Sequence, residues 1–196
     1  MSWQITVQPA TEPITTAEAK AHLRVDFSDE DTYIDTLIVT ARKYCEAYCN
    51  RVFITQTWRQ NLNEWTNPIL LKVNPVISVT SLKYYDTSEA QQTITDSSAN
   101  YQKDLNSDVA KIYEGLTNSF PAIGSTINPI EIITVCGYGA ASDVPDDIKH
   151  AIKLMVSHLY ENRDMVNVPL NNQASDIPMP TAVKYLLTRY RINVFG

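Results

Sequence analysis

Between Ser28 and Asn50 the apolar residues fall three and four apart: Ile34, Leu37, Ile38, Ala41, Cys45 and Tyr48. That spacing draws one continuous apolar face along a helix of roughly six turns. Ser28 is placed to cap it, and Asp29, Glu30 and Asp31 fill the first turn, where the helix dipole favours anions. Asn50 is placed to end it. A shorter helix is predicted just before, running to about Arg24, because Thr15 and Glu18 stand at capping-box spacing.

After Asn50 the period changes. Phe53 to Leu62 is rich in β-branched and aromatic residues, and predicts a strand closed by the Asn67-Pro68 turn. Ile69 to Val73 and Val76 to Tyr85 predict two more, separated by Asn74-Pro75 and followed by Asp86, Thr87 and Ser88. Short strands are expected around Ile94, Tyr101 and Lys111 to Tyr113, and a longer one over Ile130 to Cys136. The period then returns to that of a helix. Pro145 suits the first helical position, Asp146 and Asp147 the first turn, and Ile148, Ala151, Ile152, Met155 and Leu159 form a stripe ending near Arg163. Residues 165–179 have two prolines and no periodicity, and are expected to be a mobile loop. A last helix begins at Pro180, with Val183, Leu186, Leu187 and Tyr190 on one face. Arg189 and Arg191 stand at its C-terminal end, where cations suit the dipole.

The order is helices, strands, helices. Neither helical end can bury its stripe alone, so the two are expected to pack on each other. The fold class is α+β: a small helical bundle from 14–50 and 144–191, with an inserted, mostly antiparallel β unit over 53–139. The 196 residues form one domain on this reading, closed by a C-terminal tail at 191–196.

Charge and cysteine usage narrow the function classes. The net charge of −6 and pI near 5.0 argue against gripping nucleic acid through a general basic surface, which needs many phosphate-neutralising cations. No apolar run approaches the length that spans a bilayer, and the first residues have no basic region followed by an apolar core. The expectation is a soluble intracellular protein. Cys45, Cys49 and Cys136 make an odd count, which points to free thiols in a reducing compartment.

Each candidate for chemistry has a plainer structural explanation. Cys45 and Cys49 share a helix face, but a zinc site needs two further ligands at suitable spacing, and a thiol on an apolar stripe acts as a small hydrophobe. His150 and His158 lie two turns apart and His158 stands three before Glu161, yet no His-Glu-x-x-His pattern is present. His22 is isolated. Thr134 to Gly139 resembles a potassium-channel filter, but the flanking membrane helices that such a filter requires are missing. There is no nucleophile elbow, P-loop or dinucleotide-binding turn. No catalytic residue, metal or cofactor is expected.

Several segments together resemble the head–tail connector, or adaptor, family of long-tailed double-stranded DNA phages. They are Ile14 to Glu18 with Leu23-Arg24-Val25; Ser28 to Asp31 with Ile34, Leu37, Ile38, Ala41, Glu46, Asn50 and Arg51; and Thr55 to Trp58. Pro75 to Val79 with Tyr84-Tyr85-Asp86, Val144 to Ile148 with His158 to Arg163, and Pro180 to Arg191 continue the likeness. The acidic, Ser-rich stretch 86–110 departs from it. The resemblance implies a structural, non-enzymatic protein of the virion neck, assembled in the bacterial host cytoplasm. It implies a homo-oligomeric ring that meets the portal and a tail-completion or stopper protein, with DNA passing through the channel without sequence-specific binding and no membrane involved. The alternatives are another neck or tail-completion protein of a phage-like particle, or an enzyme with a site assembled from distant residues.

On that reading the tail is the candidate portal-docking element. Arg191, Ile192, Asn193, Val194 and Phe195 alternate in a manner a strand could use. A free strand-like end can add to the sheet edge of a neighbour or of the portal. These residues lie beyond the last apolar stripe, so their removal is expected to leave the fold intact.

Overall fold

The computed structural model describes residues 2–162 and 179–193, together with two short strands at 166–167 and 175–176. In chain order the elements are β1 (Ser2–Val7), α1 (Thr16–Leu23), α2 (Asp31–Cys49), β2 (Gln56–Leu62), β3 (Ile69–Leu70), β4 (Val76–Tyr85) and β5 (Gln91–Thr93). Then come β6 (Tyr101–Asp104), β7 (Lys111–Glu114), β8 (Ile130–Cys136), α3 (Asp146–Glu161), β9 (Val166–Asn167), β10 (Ser175–Asp176) and α4 (Thr181–Thr188). The fold is α+β. It divides into a β unit, Met1–Ala10 with Arg51–Gly139, and a helical unit, Thr11–Asn50 with Ala140–Gly196.

The β unit is built around β8. Along that strand buried and half-buried residues alternate, as a period of two requires when one face meets a core. β8 lies between β2 and β4 in a five-stranded antiparallel sheet ordered β1-β2-β8-β4-β5. A second antiparallel sheet, β3-β7-β6, brings Ile69, Ile112 and Tyr101 into the same buried cluster as Leu62, Leu82, Ile130 and Ile132. Each such aliphatic side chain contributes roughly 1.5–3 kcal/mol by leaving water. Trp65 closes one side of this core. It stacks on Phe120 at 4.5 Å between centroids, and its indole N–H donates to the Pro121 carbonyl at 2.8 Å. After β8 the chain turns at Gly137, whose φ of +124° and close approach to the Ile54 carbonyl exclude a side chain.

Two buried amides complete this unit where the strands run out. Gln60 donates to the Leu70 carbonyl and accepts from the Lys72 N–H, both at 2.9 Å. Asn74 donates to the Leu71 carbonyl and accepts from the Ala110 N–H, both at 2.8 Å, while its own carbonyl takes the Val52 N–H. Both residues are at most 5% exposed. Their side chains therefore satisfy backbone groups that would otherwise be buried without partners.

The β unit also contains a strand that the apolar pattern did not predict. β1 pairs with β2 from Ser2↔Asn61 to Val7↔Thr57, with a bulge between Ile5 and Val7. Other strands are shorter than their sequence spans. The one expected from Phe53 starts at Gln56, and the one expected over 69–73 keeps only Ile69 and Leu70 in a ladder.

In the helical unit α2 and α3 pack along their stripes, and α1 and α4 pack on them. Ile34, Leu37, Ile38, Ala41 and Cys45 meet Ile148, Ala151, Ile152, Met155 and Val156 in a buried core to which α4 adds Val183 and Leu187. The Thr15–Glu18 capping box forms as its spacing predicts, with the Thr15 N–H donating to Glu18 at 2.8 Å and the Glu18 N–H to Thr15 Oγ1 at 3.2 Å. Those bonds to Thr15 hold the Glu18 carboxyl below its ordinary range, against a smaller opposing effect of burial.

Three local expectations change. Ser28 does not cap α2; its carbonyl accepts the Asp31 N–H at 3.1 Å in a preceding turn, and Glu30 becomes the boundary residue. Pro145 stands just outside α3 rather than at its first position. Within the stretch 165–179, expected as loop, Val166–Asn167 pairs with Ser175–Asp176 and Met179 is buried. The rest of that stretch lies outside the described residues.

Candidate functional site

The candidate docking residues follow α4. The Tyr190 N–H donates back to Leu187 at 2.9 Å and the Arg191 N–H to Thr188 at 3.3 Å, so the chain leaves the helix in a tight turn. Asp147 of α3 holds that turn in place. It accepts from the Tyr190 hydroxyl and from Arg189, both at 3.2 Å. Burial raises the Tyr190 phenol above its usual range; Arg189 opposes this and Asp147 adds to it.

Ile192 is then fastened to the end of α2. Asn50 adopts the left-handed conformation there, with φ of 52°, which ends the helix. The Asn50 amide donates to the Ile192 carbonyl at 2.9 Å, and the Ile192 N–H donates to the Cys49 carbonyl, also at 2.9 Å. The Ile192 side chain is 6% exposed. Arg191 lies over the Tyr48 ring at 5.1 Å, a cation–π contact at the surface. Asn193 is exposed.

Of the five candidate residues, the structure thus brings Arg191, Ile192 and Asn193 together at the C-terminal end of α2, while Val194 and Phe195 lie outside the described residues. The expectation that everything from 191 onward lies beyond the core does not hold, because Ile192 belongs to it. The alternation was legible, but the carbonyl of Cys49 awaiting a donor was not.

The side chains considered for chemistry are placed as follows. The three cysteines are fully buried. Burial, with smaller effects of Cys49 and Glu46, pushes the Cys45 thiol up to about 12; burial, partly opposed by Thr134, pushes Cys136 up to about 11. Both are therefore protonated and unreactive near neutral pH. His150 meets His22 edge-on at 6.1 Å. Burial lowers the His22 pKa, and the nearby His150 and Lys153 lower it further. Among the described residues no three His, Cys, Asp or Glu side chains converge as metal ligands. A shallow groove beside α1 is lined by Thr11, Glu12, Ile14, Asp35, Ile38 and Ala141. Both of its carboxylates are engaged, Glu12 by Arg42 at 2.6 Å and Asp35 by Thr16 at 2.5 Å. No helix among the described residues is long and apolar enough to cross a membrane.

The exposed large apolar residues include Trp3 and Val7 on β1 and Tyr185 on α4. None of the three was singled out by the sequence pattern.

Comparison with known proteins gives consistent results. The model of the phage gp6-like head–tail connector protein family matches residues 13–120. Among solved structures, the chain is similar to one in the neck of the empty gene transfer agent particle computed with C6 symmetry, at 23% identity and a TM-score of 0.79. It is also similar to a chain of the virion of the native gene transfer agent particle, at 23% identity and a TM-score of 0.80. A chain in the neck of the native particle computed with C12 symmetry matches at 23% identity with a TM-score of 0.73. All three alignments cover 100% of this chain and 98% of the other. No curated protein sequence matches.

Proposed function

The chain belongs to the phage gp6-like head–tail connector family, a structural component of phage-like particles, and from that premise we propose that copies of it close into a ring around the DNA exit channel, between portal and tail. The observation that carries the ring is the likeness, over the whole chain, to neck chains of particles computed with sixfold and twelvefold symmetry. A ring uses one head-to-tail contact repeatedly, which cyclic symmetry permits. The acidic balance of the chain suits a conduit wall, since a wall that DNA slides past should not neutralise phosphates. Catalysis plays no part in this role. Assembly takes place in the host cytoplasm, with a tail-completion or stopper protein meeting the far side of the ring.

The C-terminal residues are the proposed portal contact. Ile192 is the anchor that fixes where the chain leaves the helical unit, and Arg191, Ile192, Asn193, Val194 and Phe195 together are the proposed docking element. Electron microscopy of the full chain mixed with its own portal tests the reading. Closed rings seated on the portal are expected. Binding to the tail tube without binding to the portal would instead make the protein a different neck component.

A further inference from the structure

The five-stranded sheet of the β unit has two open edges, and neither carries a charge or a proline. Among the described residues no strand pairs with the outer side of β1 or of β5. An open edge presents unpaired backbone N–H and C=O groups, and proteins ordinarily protect it with charge, proline, a bulge or a very short strand. β1 reads Ser-Trp-Gln-Ile-Thr-Val and β5 reads Gln-Gln-Thr, with no charge and no proline in either. β6, an edge of the second sheet, shows the usual protection: it carries Lys103 and Asp104, and Lys103 is paired with Asp96 at 2.6 Å.

β1 is also an expensive surface to leave in water. Trp3 is 53% exposed and Val7 57%. Its one bulge lies between Ile5 and Val7, so the ladder from Ser2 to Ile5 is regular, and β5 offers three residues in regular register with β4. β1 has six residues and β5 three; both are uncharged, and they lie at opposite ends of one sheet.

We propose that β1 of one copy adds to β5 of the next, so that the five-stranded sheets of neighbouring copies continue into each other. The occupant is a second copy of this chain because the ring reading, supported by likeness to neck chains of particles computed with C6 and C12 symmetry, needs a head-to-tail contact between unlike surfaces. A β1-to-β1 contact would close a dimer and leave β5 bare, whereas β1-to-β5 is heterologous and repeats around a ring. Backbone hydrogen bonds supply the contact, and the side chains flanking it set the register. This inference rests on the ring reading and assigns its side-by-side interface.

Cross-linking of the full chain, assembled with its portal, tests it. Through the pairings β1–β2–β8–β4–β5, Ser2, Gln4, Gln91 and Thr93 fall on one face of the sheet. The native cysteines are fully buried and give a quiet background. Double variants combining Ser2→Cys or Gln4→Cys with Gln91→Cys or Thr93→Cys are expected to oxidise, in the pairings that match the register, to a ladder of dimers, trimers and larger species. Gln4→Lys or Thr93→Lys alone is expected to raise the concentration needed for rings by about tenfold. Combining Gln4→Lys with Thr93→Glu is expected to recover part of the loss. Thermal unfolding unchanged in the single variants shows that the unit itself still folds. Wild-type-like rings from both lysine variants, with no ladder from any cysteine pair, overturn this interface and leave the ring standing. Dimers alone, formed equally by Gln4→Cys without a partner cysteine, overturn it in favour of a two-fold contact. Absence of rings from the unmodified chain with its portal removes the ring reading, and this interface with it.

Discussion

The helical unit and the β unit bury polar groups in opposite ways. The helical unit buries a charge. Arg42 of α2 is 3% exposed and is held by Glu12 at 2.6 Å and by Glu46, one turn along the helix, at 2.7 Å. Burial alone would lower the Arg42 pKa, but the bonds to Glu12 and Glu46 raise it overall. The β unit instead buries the neutral amides of Gln60 and Asn74. The charge serves to fasten an irregular segment, residues 11–14, against α2. The amides serve to extend hydrogen-bonded ladders past their last strand residue. A charge holds across a distance and in several geometries, so it suits a segment with no secondary structure. An amide carries one donor and one acceptor side in fixed relation, so it replaces a missing peptide group.

The largest expected effect is on the charged side of this contrast. Arg42→Ala leaves Glu46, whose side chain is 11% exposed, without its cation, and should cost about 3–5 kcal/mol in urea unfolding. A loss under about 1 kcal/mol would show that the triad is ornamental and break the comparison. Next comes Asn74→Ala, which strands the Leu71 carbonyl and the Ala110 N–H and should cost about 2–3 kcal/mol. This loss should be insensitive to salt, whereas part of the Arg42 loss should vary with ionic strength.

A smaller effect concerns the anchor. Ile192→Ala should cost about 2 kcal/mol. A loss under about 0.5 kcal/mol would show that Ile192 is not part of the core. The smallest effect is that of pH. The folded protein holds the His22 pKa below its ordinary 6.5, so the unfolded chain takes up the proton first. Stability is therefore retained above that value and declines as pH falls through it. His22→Gln should flatten this decline in melting temperature. Glu18 has the same sign at lower pH, since its pKa is held below 4.5, so the two contributions separate along the pH axis.

What the sequence made legible followed periodicity. α2 and α3 were visible because each buries a full stripe, and a stripe is a local signal. β4 and β8 run over the residues their patterns predicted, Val76–Tyr85 and Ile130–Cys136, because apolar runs there are bounded by turn residues. β1 was not visible. It is exposed on nearly every residue, so it has no buried face to mark it, and its partner residues on β2 lie fifty or more positions away. Ser28 misled for a related reason. The acidic residues after it look like a first turn, but Asp29 and Glu30 precede α2 and only Asp31 lies in its first turn. In the candidate site the alternation of 191–195 was readable and the anchoring of Ile192 was not. That anchoring depends on a helix end formed by Cys49 and Asn50, which only the fold brings near. The Arg42–Glu46 pair stands at helical spacing and could have been read; Glu12, thirty positions away, could not.

The placing of β8 sets the order of events during synthesis. It is the last strand of the β unit to leave the ribosome, yet it occupies the middle of the sheet. Until residue 136 emerges, β2 and β4 have no neighbour to join them, and the nascent chain carries two separate pieces of a sheet. Closing it requires loops of some fifty to eighty residues, whose entropy must be overcome before any ladder rewards it. The β unit should therefore mature late, its two pieces joining only once β8 has been translated.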